Sequence, residues 1–213
     1  MSTSAVIFDF GGVFIDSPFA AVAAAATRHG IDPERLVEVV FGSYEADTDH
    51  PWHRLERGEI TVLEARDEIL ALSTADGGTE IDPFVVLAEI SGGDIRHEVV
   101  ARCRSYRTAG LRTGLLTNNA KEFEEFWRPL LPFDELFDDI VDSSFVGMRK
   151  PDPRIYELSL ERLGVTASEA VFIDDAPGNV AGARAVGIRS VLIGHERDDV
   201  VAALAELDVL VRA

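Results

Sequence analysis

Internal disulfide bonds are excluded from this sequence, because Cys103 is the single cysteine among its 213 residues. A basic segment followed by a cleavable apolar stretch is missing from the opening MSTSAVIFDF. Long apolar runs are missing as well, since the alanine-rich stretch 20–26 is far shorter than the roughly 20 residues of a membrane-spanning helix. We therefore expect a cytoplasmic protein with no membrane partner.

Basic residues are also scarce in this chain. The 20 lysine and arginine residues stand against 38 aspartate and glutamate residues, which leaves a formal net charge of −18. A charge of this sign opposes association with nucleic-acid phosphates and with anionic lipid surfaces. We therefore expect no nucleic-acid partner.

Apolar residues are plentiful, at 46% of the chain, and they recur in segments without an internal repeat or a low-complexity tract. A chain of 213 residues exceeds one average domain, which favours a core domain with a smaller appendage. Continuous apolar runs indicate buried strands at 5–8, 111–116, 170–173 and 190–193. Continuous rather than alternating hydrophobicity is typical of a parallel sheet that is covered on both faces.

Helical patterns alternate with the later strands, at 98–110, 121–130, 154–164 and 179–187. This alternation predicts an α/β fold, a doubly wound parallel sheet with a Rossmann-like core. Residues 17–92 break the alternation, because they carry helix signals and no convincing strand. We therefore predict a Rossmann-like core made of residues 1–16 and 93–213, with a helical cap domain at 17–92 inserted after the first strand.

Three helix starts can be predicted inside this cap. Asp32-Pro33 and Asp82-Pro83 each place an N-cap before a proline at the first helical position. Thr61 and Glu64 fit a capping box. In the helix that follows, one buried face is predicted to hold Val62, Ala65, Ile69 and Leu72.

Polar residues follow the apolar runs, at the edge of the sheet where doubly wound proteins bind ligands. The first run leads to Asp9, the second to Thr117 and Asn118, and the third to Asp174 and Asp175. Three carboxylates at one edge would repel one another unless a cation neutralised them, which implies a hard divalent ion. Mg²⁺ suits this set, because it takes one or two carboxylates together with waters and phosphate oxygens.

A lysine completes the set, since Lys150 lies in GMRKPDP before a helix that Asp152-Pro153 would start. A hydroxyl, an amide and a lysine are suitable donors to phosphate oxygens. A carboxylate with one oxygen free of the metal can attack phosphorus in line and form an aspartyl-phosphate, which water later hydrolyses. The residues therefore predict a small phosphorylated substrate.

Four motifs in order, DFGGV, LLTNN, RKPDP and FIDDAPGNVAGARAVG, resemble those of the haloacid dehalogenase-like hydrolase superfamily. The resemblance spans nearly the whole chain, and the inserted helices resemble the family's α-helical cap of the first type. It implies the following roles: Asp9 as nucleophile, Thr117 and Lys150 as catalytic phosphate-binding side chains, Asn118 as a backbone amide donor to phosphate, and Asp9, Gly11, Asp174 and Asp175 as metal ligands. Asn179 matches the polar position that closes the fourth motif.

Gly11 departs from the family pattern. Most phosphatases of the family have aspartate at this position, where it acts as general acid and base while its backbone carbonyl binds metal. Glycine preserves the carbonyl and removes the acid, and a positioned acid is typically worth about a hundredfold to ten-thousandfold in rate. The proton could instead come from a cap residue or from water. Alternatively, the substrate could have a leaving group stable enough to depart with little protonation. A minority branch with DxGxV includes phosphatases of sugar phosphates, so a sugar phosphate is one expected substrate.

The cap contains an unusual cluster in DHPWHRLERGE, which gathers His50, Trp52, His53 and Arg54. The simpler interpretation, which we favour, is a tryptophan that packs the cap helices while its neighbours face solvent. The functional hypothesis is that His50, Trp52 and His53 contact the substrate beyond its phosphate, and that a histidine donates the missing proton. Cys103, inside a predicted helix, is interpreted as a packing residue rather than a nucleophile.

The leading hypothesis is a magnesium-dependent phosphatase that acts on a small phosphorylated metabolite, as a monomer or homodimer. Two alternatives remain open. A metal-independent 2-haloacid dehalogenase would use the same aspartate on carbon, although the pair Asp174-Asp175 argues against it. A non-catalytic phosphate-binding or regulatory protein is compatible with the acid missing at Gly11.

Overall fold

A parallel β-sheet forms the centre of the protein. The structure, a computed structural model, describes residues 2–75, 78–90 and 93–213. Its strands are β1 (Ala5–Phe8), β2 (Arg112–Thr117), β3 (Asp139–Asp142), β4 (Ala170–Asp174) and β5 (Arg189–Leu192). They lie in the order β3-β2-β1-β4-β5, and every neighbouring pair is parallel. The predicted doubly wound α/β fold is confirmed, with β1 at its centre.

Helices cover both faces of this sheet and also form the inserted segment. In chain order they are α1 (Pro18–His29), α2 (Pro33–Val40), α3 (Pro51–Glu56), α4 (Val62–Thr74), α5 (Pro83–Ile90), α6 (His97–Thr108), α7 (Glu124–Trp127), α8 (Phe133–Leu136), α9 (Ser143–Val146), α10 (Pro153–Leu163), α11 (Pro177–Ala185) and α12 (Arg197–Arg212). Buried residues of α6 and α12 pack on one face of the sheet, and those of α10 and α11 pack on the other. Burial on both faces explains why the strands are continuously apolar.

Two elements differ from the sequence-based expectation. Strand β3 was not predicted, because its sequence Asp-Ile-Val-Asp has only two apolar residues and it lies at an edge of the sheet. The helix expected at 121–130 is instead broken into the 3₁₀ turns Lys121–Phe123 and Arg128–Leu130 with α7 between them. Pro129 explains the second break, because proline lacks the N–H that a continuous helix needs.

Helices α1 to α5 contribute most of a hydrophobic cluster of their own. Its buried members include Val22, Leu36, Leu55 and Ile69. All three helix starts expected in the cap have the predicted capping geometry, since Asp82 also accepts from Phe84 N–H at 2.9 Å at the start of α5. The Asp32 side chain accepts hydrogen bonds from the N–H groups of residues 34 and 35, and a capping box is present at the start of α4. These local signals act within a few residues, so they could be predicted without the fold.

The predicted buried face of α4 is wrong at one position. Ala65 and Ile69 are buried as expected, but Leu72 is 44% exposed and Ser73 is buried in its place. The hydroxyl of Ser73 donates to the Leu70 carbonyl at 2.8 Å and accepts from the backbone N–H of Ile81 at 3.0 Å. A contact with the following loop therefore turns the polar residue inward.

The chain leaves the sheet after β1, and the segment that returns to the sheet lies next to the segment that left it. Ile15 and Ile95 form an antiparallel bridge, flanked by backbone bonds from Asp16 N–H to Asp94 at 3.2 Å and from Arg96 N–H to Phe14 at 2.8 Å. This paired crossing lets a helical segment be inserted without disturbing the sheet. Of the predicted cap boundaries 17–92, residue 92 lies outside the described residues, and the division into two domains stays a proposal. Among the described residues, no helix combines the length and apolar character needed to cross a bilayer.

Candidate active site

The order of the strands brings the predicted polar residues to one edge of the sheet. Asp9 follows β1, Thr117 ends β2 and Asp174 ends β4. Because β1 lies between β2 and β4, the carboxyl ends of all three strands are neighbours. Asp175 and Lys150 join them from the loops that follow β4 and precede α10. Residues that are far apart along the chain therefore meet in one place.

Three carboxylates form the centre of the site. One oxygen from each of Asp9, Asp174 and Asp175 lies within 4.8 Å of the others. All three residues are buried, with exposures of 7%, 0% and 8%. A buried cluster of this kind is unfavourable in its fully ionised form, so it needs positive charge nearby.

Lys150 supplies part of that charge. Its Nζ lies 2.7 Å from an oxygen of Asp9 and 2.6 Å from an oxygen of Asp174, and its side chain is 1% exposed. The side chain of Asn118 holds the backbone of this lysine, because its Oδ1 accepts from Lys150 N–H at 2.8 Å and its Nδ2 donates to Lys150 C=O at 3.0 Å. The sequence motifs did not reveal this clamp between Asn118 and the lysine.

Burial controls the protonation of the cluster. Desolvation raises the pKa of Asp9 to about 7, with Lys150 opposing and Asp174 reinforcing the shift. Desolvation followed by repulsion from Asp174 and Asp9 raises the pKa of Asp175 to about 8. Burial lowers the pKa of Lys150, but attraction to Asp174 and Asp9 outweighs it and leaves that pKa raised. One ammonium therefore does not neutralise three carboxylates, and a further cation would favour their ionised forms.

The carboxylates differ in the oxygens that they can offer to a metal ion. Both oxygens of Asp174 are hydrogen-bonded, to Lys150 and to the Asn179 amide, and one also accepts from Ala176 N–H. Lys150 contacts one oxygen of Asp9, and the Ser17 hydroxyl donates to one oxygen of Asp175 at 2.7 Å. The donor set fits Mg²⁺, which prefers carboxylate oxygens, and Asp9 with Asp175 is better placed to hold it than Asp174.

The two glycines after Phe10 have different surroundings. Gly12 has a φ of +71°, and a Cβ built on it would overlap the carboxylate of Asp175. A Cβ built on Gly11 meets no atom within 4 Å. Gly12 is therefore required by close approach of the backbone to an acid, whereas space alone does not explain why Gly11 lacks the usual aspartate.

A cavity of about 210 Å³ opens from the cluster toward the helical segment. Its sheet side is lined by Asp9, Gly11, Thr117, Asn118, Lys150, Asp175, Ala176 and Asn179, and its other wall by Phe41, Tyr44, Trp52, Glu56, Leu87 and Phe123. A larger groove of about 560 Å³ lies near the amino ends of the strands, around residues 3–4 and 109–112, and contains none of the acidic cluster.

The cap histidines do not line this cavity. The Nδ1 of His50 accepts from Trp52 N–H at 3.1 Å, and its Nε2 lies 3.2 Å from the Val39 carbonyl. His53 is fully buried, its Nδ1 accepts from Thr48 N–H at 3.0 Å, and burial with nearby Arg149 lowers its pKa to about 3. The hypothesis that either histidine donates a proton to the substrate therefore has no support in the geometry.

Trp52 does line the cavity, and it is held by residues that the sequence did not reveal. Its Nε1 donates to Glu56 Oε1 at 2.9 Å, and Glu56 Oε2 accepts from Arg149 Nε at 2.7 Å. The Trp52-Glu56 spacing of four residues is a helical contact that could have been predicted. The ion pair with Arg149 could not, because 93 residues separate its partners.

Cys103 lies on α6, away from this site, and packs into the core. It is fully buried, its thiol lies 3.5 Å from the Leu136 carbonyl, and burial raises its pKa to about 12. A thiol with a raised pKa is a poor nucleophile, so the packing interpretation of Cys103 is confirmed.

Comparison with known proteins identifies a family that this chain resembles. Residues 3–187 match the family model described as haloacid dehalogenase-like hydrolase. The chain is 30% identical to mouse acyl-CoA dehydrogenase family member 10, over 98% of this chain and 19% of that protein. It is 38% identical to phosphatase MT3486 of Mycobacterium tuberculosis, over 49% of this chain and 50% of that protein.

Two further matches cover nearly the full length of both chains. A sesquiterpene phosphatase of Aspergillus oryzae is 28% identical, over 97% of this chain and 96% of its own length. A crystal structure of a family enzyme from Bacteroides thetaiotaomicron, in complex with magnesium and inorganic phosphate, aligns with a TM-score of 0.63 at 20% identity, over 92% of this chain and 97% of that one. The fold described above is therefore shared with solved members of one enzyme family.

Proposed function

We propose, because the chain belongs to the haloacid dehalogenase-like hydrolases, that it is a magnesium-dependent phosphatase of a small phosphorylated metabolite. The observation that carries the proposal is the convergence of Asp9, Lys150 and Asp175 with Thr117 around one cavity. The name of the full-length fungal relative, a sesquiterpene phosphatase, supports the same reaction class.

In the proposed reaction Asp9 is the nucleophile. An oxygen of its carboxylate forms a bond to phosphorus, and the bond from phosphorus to the ester oxygen breaks with its electron pair on that oxygen. Water then attacks the aspartyl-phosphate, which releases inorganic phosphate and restores the carboxylate. Lys150 favours the ionised form of Asp9 that this attack needs, since its Nζ lies 2.7 Å from one carboxylate oxygen.

Asp9 and Asp175 would hold the magnesium ion, with the Gly11 carbonyl as a third proposed ligand. The ion would supply charge neutralisation for the phosphoryl oxygens and for the carboxylates. Asp174 has a different role in this proposal. Its bonds to Lys150, to Asn179 and to the N–H of Ala176 position the lysine against the start of α11.

The leaving oxygen needs a proton that Gly11 cannot provide. Neither cap histidine lines the cavity, so we propose that water provides this proton. Thr117 and Lys150 would bind the phosphoryl oxygens on the sheet side, since both line the cavity. The large negative net charge would keep nucleic acids and anionic membranes away from this site. A cytoplasmic location and a monomeric or homodimeric state complete the proposal.

The test is a panel of phosphomonoesters assayed with Mg²⁺ and with a chelator, with the Asp9→Asn variant as the blank. We expect turnover that requires Mg²⁺ and falls at least about a thousandfold in the variant. Halide release from a 2-haloacid in the presence of chelator would instead support the dehalogenase alternative. Binding of inorganic phosphate without turnover of any ester would support the non-catalytic alternative.

A further inference from the structure

The cavity has one polar side and one mainly apolar wall. The apolar part of the wall consists of Phe41, Tyr44, Trp52, Leu87 and Phe123, which we call the aromatic wall, and the Glu56 carboxylate lies beside it. It lines the same cavity as Asp9, Lys150 and Asp175, so the part of a substrate that extends beyond the phosphoryl group would contact this wall.

Ring contacts fix the shape of the aromatic wall. The rings of Phe41 and Trp52 meet edge to face, with centroids 5.0 Å apart and planes at 85°. Trp52 also lies 6.4 Å from Phe123, and Phe41 lies 6.3 Å from Tyr44. Aromatic pairs at these distances attract one another, so the rings of the wall support one another through their own contacts.

Most polar groups beside the wall already have partners. The Trp52 N–H donates to Glu56, and the other oxygen of Glu56 accepts from Arg149. The side-chain oxygen and nitrogen of Asn118 both bind the Lys150 backbone, and the side-chain NH₂ group of Asn179 donates to Asp174. A sugar hydroxyl placed here would compete with these bonds, and a buried hydroxyl without a partner lowers affinity by about fivefold to a hundredfold.

The size of the cavity matches a small organic group. Its volume is about 210 Å³. The cap also lies close against the core beside the cavity, because a Cβ on Gly178 would overlap the carbonyl of Tyr44. A phosphoryl group with a short chain or a single ring would fill such a space.

We infer that the substrate is a monophosphate ester of an apolar alcohol, with a short alkyl, prenyl or aryl group, and not a sugar phosphate. The inference rests on the proposed function and replaces the sugar phosphate expected from the sequence motif. Trp52 is the specificity-determining residue, because its ring lies at the centre of the aromatic contacts. Glu56 and Arg149 are positioning residues, which hold the indole through the Nε1 hydrogen bond.

The test compares primary phosphate esters whose leaving alcohols are similarly basic. Ethyl, butyl and hexyl phosphate are assayed beside glycerol 3-phosphate and glucose 6-phosphate, with Mg²⁺. We expect kcat/KM to rise about fourfold per methylene until the cavity is filled. Hexyl phosphate should exceed glucose 6-phosphate by about a hundredfold or more. Equal or better turnover of either polyol phosphate overturns the inference.

Two variants locate the effect at the aromatic wall. Trp52→Ala should flatten the dependence on chain length, whereas Trp52→Phe should keep most of it. Leu63→Ala is the matched control, because Leu63 is 62% exposed on the cap and does not line the cavity. An unchanged dependence in folded Trp52→Ala would remove Trp52 from the proposal. If this variant does not fold, the dependence of kcat/KM on chain length in the wild type and in Trp52→Phe tests the inference.

A binding measurement separates this inference from the proposed function. Hexylphosphonate and methylphosphonate are titrated into the wild type and Asp9→Asn by calorimetry, in the presence of Mg²⁺. Hexylphosphonate should bind at least about tenfold more tightly than methylphosphonate. This result without turnover of any ester would reject the phosphatase and keep the apolar site. Equal binding of the two phosphonates overturns the apolar site even if esters are hydrolysed.

Discussion

The sheet edge and the cap form opposite sides of one cavity, but different rules place their residues. On the sheet side, Asp9, Thr117 and Asp174 are each positioned by the end of a strand, and hydrogen bonds between neighbouring strands fix where those ends lie. On the cap side, Phe41 and Trp52 face the cavity because of the way that short helices pack on one another. Neighbouring residues in the cap therefore have unrelated roles, as Trp52 and His53 show.

The comparison suggests that the sheet side determines the chemistry and the aromatic wall determines the substrate. Charge is buried on the sheet side, where each ionised group depends on its neighbours. On the cap side, some ion pairs are partly exposed, as for Arg28 and Glu89, whose side chains are 58% and 26% exposed, although Glu56 and Arg149 form a buried pair. Substitutions should therefore cost more on the sheet side than in the cap.

Removal of the buried ammonium should produce the largest effect. Lys150→Gln leaves Asp9 and Asp174 without their common partner, and breaking a buried ion pair on one side typically costs about 3–5 kcal/mol. We expect a loss of this size in the free energy of unfolding by urea, together with loss of phosphatase turnover. The change also tests whether the sheet side depends on paired charge.

The matched variant is Arg28→Gln, which breaks the partly exposed pair with Glu89. This change should cost less than about 1 kcal/mol and leave turnover unchanged. Similar losses for the two variants would mean that the two regions do not differ in this respect.

The adjacent glycines offer a second contrast, within the sheet side itself. Gly12→Ala places a Cβ against Asp175 at a φ of +71°, which should cost about 1–3 kcal/mol in stability. Because it also displaces a proposed metal ligand, turnover should fall about a hundredfold and the Mg²⁺ concentration for half-maximal rate should rise. Gly11→Ala should change each of these quantities little, since its Cβ has open space.

Much of the sheet side could be predicted from the sequence, because strand ends in a parallel sheet meet at one edge. Four apolar runs and four motifs were sufficient to place Asp9, Thr117, Lys150 and Asp175 together. The contact between Ser17 and Asp175 was missed, since 158 residues separate the two and no local pattern links them. Strand β3 was missed because an edge strand of four residues needs little apolar sequence.

The cap was predictable only where its signals were local. The N-cap at Asp32 and the capping box at Thr61 depend on residues within one turn, and both were found. The buried face of α4 and the roles of His50 and His53 depend on the packing of one helix on another. The sequence has two histidines next to a tryptophan, but only the fold shows that the tryptophan lines the cavity.

The third prediction asks which region supplies the proton. Gly11→Asp restores the acid that the family usually has, at a position where a Cβ meets no atom within 4 Å. If water protonates the leaving group, kcat for an alkyl phosphate should rise tenfold or more, below the roughly hundredfold to ten-thousandfold of an optimised acid. Aryl phosphates such as 4-nitrophenyl phosphate should gain less, because their leaving groups need little protonation.

Gly11→Asn is the control for that substitution, since it adds a side chain of the same shape without an acid. An equal change of rate in both variants would point to altered binding rather than to protonation. No gain in Gly11→Asp, with Mg²⁺ affinity unchanged, would favour a proton donor already present in the cap.

The smallest effect on turnover is expected from His53, although it should change how stability depends on pH. Its folded-state pKa of about 3 lies below the usual 6.5, because the ring is buried and the positive charges of Arg149 and Arg57 and the ring of His50 lie nearby. The unfolded state therefore binds a proton between pH 6.5 and 3 that the folded state does not. This group should remove about 2 kcal/mol of stability between pH 7 and pH 5.

His53→Asn should lose this part of the pH dependence, as measured by urea unfolding at pH 7 and pH 5, while kcat at pH 7 stays within about threefold of the wild type. His50→Asn is the matched variant, because asparagine keeps the N-cap of α3 and His50 is only partly buried. A hundredfold fall in kcat for folded His53→Asn, with KM unchanged, would mean that a cap residue takes part in the chemical step. The division of roles between the two sides of the cavity would then be wrong, since a residue away from the cavity wall would control the rate.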